Sequence, residues 1–76
     1  MPVSPVQAAK RVLVALLVSL AATYRVAVRV TRDSPDADVK RAYRLVAAKA
    51  HPDKGGSNEL FRKVREAWNY FLATSG

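Results

Sequence analysis

Residues 35–72 read PDADVKRAYRLVAAKAHPDKGGSNELFRKVREAWNYFL, and their spacing decides the fold. Val39, Ala42, Tyr43, Val46 and Ala50 recur at three- and four-residue steps, so one face of a helix is apolar. Ser34 is a capping residue type, Pro35 suits a first helical position, and Asp36 and Asp38 favour the positive end of a helix. Pro52 stops the run, because a proline disfavours helical geometry in the residue before it. The predicted helix therefore spans about 35–50. A second stripe follows in Leu60, Phe61, Val64, Ala67, Trp68, Phe71 and Leu72, with Ser57 or Asn58 as its cap. That helix is predicted over about 58–73, with Arg62, Lys63, Arg65, Glu66 and Asn69 outward. Two such helices joined by a short loop make an antiparallel hairpin.

Upstream, thirteen uncharged residues from Val12 to Tyr24 lie between Arg11 and Arg25. Leu, Ala and Val without Gly or Pro favour a helix, predicted over about 7–22. The run fits a core helix buried nearly all round, a short membrane anchor, or a targeting segment with a small-x-small pattern at Ser19-Leu20-Ala21. It is shorter than the ~20 residues of a membrane span, so a helix packed on the rest is the reading carried forward. Tyr24 to Val30 is ambiguous. Val26, Val28 and Val30 alternate as in an extended stretch, yet the same run could end the first helix. The division is a basic and apolar segment at 1–23 and a helical domain at 24–76.

The net charge is +7, and it is uneven. Residues 1–32 carry Lys10, Arg11, Arg25, Arg29 and Arg32 with no acid, whereas residues 33–76 carry eight bases and six acids. A basic, acid-free N-terminal stretch is a feature of organellar and membrane-associated segments, or simply of a solvated helix end. A nucleic-acid role would use the same charge, but no exposed aromatic interleaving supports it, and none is expected. With no cysteine, disulfides, thiolate metal sites and a thiol nucleophile are excluded together.

Between the two predicted helices stands His51-Pro52-Asp53-Lys54-Gly55-Gly56. As catalytic chemistry it is poor. One histidine lacks the further ligands a metal site needs and the reacting partner a general base needs. A phosphate loop would need a longer glycine-spaced run after a strand. Proline stiffens this loop and glycine turns it, so it reads as a display surface. Neither cofactor nor metal nor enzyme activity is expected. Lys40, Arg44 and His51 fall near one helical line, flanked by Arg41 and Lys49.

From Tyr24 to about Phe71 the sequence resembles the J-domain of DnaJ-type co-chaperones. The resemblance rests on Asp38-Val39-Lys40-Arg41-Ala42-Tyr43-Arg44, on His51-Pro52-Asp53-Lys54 eight residues beyond Tyr43, and on Phe61 with Glu66-Ala67-Trp68. The Lys54-Gly55-Gly56-Ser57 continuation looks most like the J-domains of inner-membrane import motors and of polyomavirus T antigens. The resemblance implies an all-α fold and docking on a heat-shock protein 70-type ATPase whose hydrolysis is stimulated. His51, Pro52 and Asp53 would signal. Lys40, Arg41, Arg44, Lys49 and Lys54 would supply the positive docking face, with Tyr43 beside it. The alternative is a J-like structural subunit in a larger organellar or membrane assembly, joined through residues 8–22.

Four departures from the family pattern set further expectations. Val28 and Arg29 stand at the usual Leu-Gly pair, so the first turn must be built differently. Leu45 stands at a common base, which weakens docking. Ala50 replaces a bulky aromatic, leaving a space for the N-terminal helix to fill. No fourth, basic helix follows.

Overall fold

A computed structural model describes residues 4–75. Three helices form: α1 (Pro5–Tyr24), α2 (Asp36–Ala50) and α3 (Asn58–Ser75), with a 3₁₀ turn at Pro52–Lys54. No strand occurs among the described residues.

α1 starts earlier than the apolar run predicts because Ser4 builds a capping box. Its Oγ accepts the Gln7 N–H, and Gln7 Oε1 accepts the Ser4 N–H. Pro5 takes the first position, where its missing N–H costs nothing. The helix closes at Arg25, which adopts the left-handed φ of 56°. The Val26 N–H then reaches back to the Ala21 carbonyl at 2.8 Å and the Arg25 N–H to Ala22 at 3.4 Å. This crossed pair is a Schellman closure without the usual glycine.

The ambiguity after α1 resolves as extended chain. Tyr24, Val26 and Val28 are half-buried and Val30 buried, while Arg25, Ala27 and Arg29 are exposed. The helix ends four residues before Val28, so Val28 and Arg29 lie in the segment between α1 and α2.

At α2 two capping expectations are corrected. Pro35 is the N-cap itself, not the first helical residue, and it makes no side-chain cap. Ser34 is unavailable because its Oγ accepts the Thr31 N–H at 2.9 Å, closing the turn before the helix. α1 holds that turn. Lys10 Nζ donates to the Ser34 carbonyl and lies 3.4 Å from the Asp36 carboxylate. α3 is capped by Ser57, whose Oγ accepts the Leu60 N–H at 3.3 Å.

The core lies where the three helices meet, and Leu13, Leu17, Val39, Val46 and Val64 are sealed from solvent. α1 contributes Ala9, Leu13, Val14, Leu17, Leu20 and Ala21, and it packs on both α2 and α3. It is not buried all round. Val12 is 62% exposed and Val18 45% exposed on its outer face. Leu72 also falls outside the predicted α3 stripe, being exposed, whereas Val64 and Phe71 are buried.

Candidate functional site

The loop after α2 is tied down by its own backbone. The N–H groups of Lys54 and Gly56 both donate to the His51 carbonyl, at 2.9 and 3.1 Å. The Gly55 N–H donates to Pro52 at 3.1 Å, and Gly55 takes φ 83°, which an L side chain rarely adopts. Gly56 is required for a different reason. A Cβ there would stand 2.1 Å from the Ala50 carbonyl oxygen. Ala50 itself is fully buried but outside the cluster that α1 helps to build. The Gly56 backbone therefore packs against the last carbonyl of α2.

His51 is both anchor and display. Its Nδ1 accepts the Asp53 N–H at 3.1 Å, capping the 3₁₀ turn. An acceptor Nδ1 places the neutral ring's proton on Nε2. The ring edge rests on Phe61, with centroids 5.0 Å apart at 68°. The side chain remains 44% exposed, and that of Asp53 is 86% exposed with its Oδ2 3.8 Å from Nδ1. Rigid backbone thus presents an imidazole and a carboxylate together. Lys54 is exposed beside them.

Phe61 corrects the sequence reading. Its spacing puts it in the apolar stripe, but it supports the loop, whereas Trp68 and Phe71 face the core with rings 5.7 Å apart. Its position in the first turn of α3, next to the loop, is the signal that separates it from the rest of the stripe. Tyr43 is half-buried and stacks on Trp68 at 4.6 Å and 9°. It clamps α2 to α3.

Lys40, Arg41, Arg44 and Lys49 are all exposed on α2, and none is in an ion pair among the described residues. Their positive field is therefore not cancelled locally. They do not form one ridge. Lys40 and Arg44 lie one turn apart, Arg41 turns toward the segment at 27–30, and Lys49 stands about 140° round from Arg44. No group of His, Asp and Glu among the described residues is arranged to hold a metal ion.

The comparisons agree with this geometry. The model of the DnaJ domain family matches residues 23–74. The chain belongs to the DnaJ domain family. Its J-domain is 48% identical over 42 residues to the chaperone protein DnaJ of Limosilactobacillus reuteri, covering 51% of this chain and 11% of that protein. It is 49% identical over 39 residues to the tetratricopeptide repeat and J domain-containing co-chaperone DNJ1 of Mycosarcoma maydis, covering 51% and 7%. It is 45% identical over 42 residues to DnaJ homolog subfamily B member 14 of Bos taurus, covering 51% and 11%. The chain spans about a tenth of the length of these relatives. No solved structure matches it.

Proposed function

We propose that this J-domain docks on a heat-shock protein 70-type ATPase and stimulates its ATP hydrolysis, with no catalysis of its own. The observation that carries the reading is the preorganised loop. Three backbone bonds and the Nδ1 cap hold His51 and Asp53 in place before any partner arrives, so little conformational freedom is lost on docking. Asp53 is free to meet a cationic group on the partner through a charge-assisted bond. Lys40, Arg41, Arg44, Lys49 and Lys54 steer an acidic surface toward it. Tyr43 acts by fixing α2 on α3 behind that face.

The test is single-turnover ATP hydrolysis by a heat-shock protein 70 chaperone, with the native chain and with His51→Gln. Stimulation by the native chain and its loss in the variant are expected. No stimulation, or equal stimulation by both, would sink the proposal.

A second reading has its own support, the exposed apolar side of α1. α1 is long and apolar enough to cross a membrane by length and composition, yet six of its residues are buried here. In this reading residues 8–22 join the J-domain, at 24–76, to a larger organellar or membrane assembly. The Lys54-Gly55-Gly56 run favours an import-motor-type member. Full release from membranes by carbonate extraction would remove the membrane form of this reading.

A further inference from the structure

Between α1 and α2 the chain offers an open edge. The N–H and C=O groups of Ala27, Val28, Arg29 and Val30 make no hydrogen bond within the described chain. The last bond before them is Val26 to Ala21, and the next N–H used is that of Thr31. Four consecutive extended residues with unpaired backbone are a template for strand pairing. Beside them runs a groove of about 310 Å³, lined by residues 27–30 on one side and by Asp38, Arg41, Ala42 and Leu45 on the other.

We propose that this groove binds an extended acidic peptide segment of a partner protein, laid along residues 27–30 as an added strand. Three observations select that occupant. The unpaired backbone supplies affinity independent of sequence. Leu45, 47% exposed, and Val28 give apolar seats for alternate side chains of such a peptide. The charge is cationic: Arg29 and Arg41 line the groove against a single acid, Asp38, and Arg25 and Arg32 are exposed to either side. The same arginines repel a second copy of this edge, so self-pairing is disfavoured. Leu45, which the family resemblance implies weakens docking on a chaperone, acquires a role in this groove.

The experiment uses the full chain and two short labelled peptides, one alternating glutamate with valine and one alternating lysine with valine. Fluorescence polarisation is expected to show saturable binding of the acidic peptide alone. Amide exchange of residues 27–30 is expected to slow when it binds. Leu45→Glu should weaken binding by about tenfold or more, and Arg29→Glu should weaken it similarly while admitting the lysine peptide. Both residues are exposed, and circular dichroism checks that each variant is folded. His51→Gln should leave peptide binding unchanged, which separates this groove from the chaperone loop. Absence of saturation, equal binding of both peptides, or slowed exchange elsewhere than at 27–30 overturns the proposal.

Discussion

At the scale of single residues, the two loop glycines do different work although they are neighbours. Gly55 is needed for its backbone angle, and nothing stands within 4 Å of the Cβ an alanine would add. Gly56 is needed for space, since its Cβ would enter the Ala50 backbone. Gly55→Ala is therefore expected to cost about 1 kcal/mol. Gly56→Ala is expected to cost about 2–3 kcal/mol, because backbone rather than a flexible side chain must move. Urea denaturation of the two variants checks the order. Equal losses would mean that the approach of Gly56 to Ala50 is not what shapes the loop. A sequence of two adjacent glycines does not distinguish these roles, because the difference lies in which one faces the end of α2. For the same reason the sequence places Phe61 with the rest of the α3 stripe. Its spacing is that of the stripe, and only the path of the loop turns it toward His51.

At the scale of elements, α2 and α3 were legible because apolar and polar residues alternate with helical period and strong breakers bound them. The boundaries were legible only where one capping residue was available. At Ser34-Pro35 two residues compete, and a turn further back takes the serine. α1 was legible as a helix but not in orientation. Between Val12 and Ala22 only Ser19 interrupts the alanine, valine and leucine, so that run marks its inward side weakly. The packing does, and it makes a prediction. Leu17→Ala should cost about 2–5 kcal/mol, enough to remove most of the stability of a domain this small. Val12→Ala, on the outer side, should stay within about 0.5 kcal/mol. Thermal unfolding followed by circular dichroism distinguishes them, and similar losses would show that α1 is buried on both sides in solution.

At the scale of the whole molecule, cations outnumber acids, and the described α2 cations are not paired within the fold. Association with the proposed chaperone partner should therefore weaken steeply with salt, mainly through the on-rate. Replacing Lys40 and Arg44 together by alanine should flatten that salt dependence while leaving unfolding by urea within about 0.5 kcal/mol, because both are exposed. Stopped-flow association at several salt concentrations checks this. An unchanged slope would place the docking face elsewhere. The candidate loop and the Lys40–Arg44 ridge were visible in the sequence through local spacing. The turn of Arg41 toward residues 27–30 was not, since it depends on how a distant segment packs across α2.

The way α1 is covered also bears on how the chain is made. Its buried side is shared with α3, which follows more than thirty residues later in the chain. Chains emerge from the ribosome at about 5–20 residues per second, so α1 is outside for seconds before its partner helix exists. During that interval Leu13, Leu17 and Leu20 have no α3 to cover them. Nascent α1 is thus an apolar helix first and a domain component second. Whatever meets it at the tunnel exit, a lipid surface or a chaperone, meets it before Phe71 has closed the core.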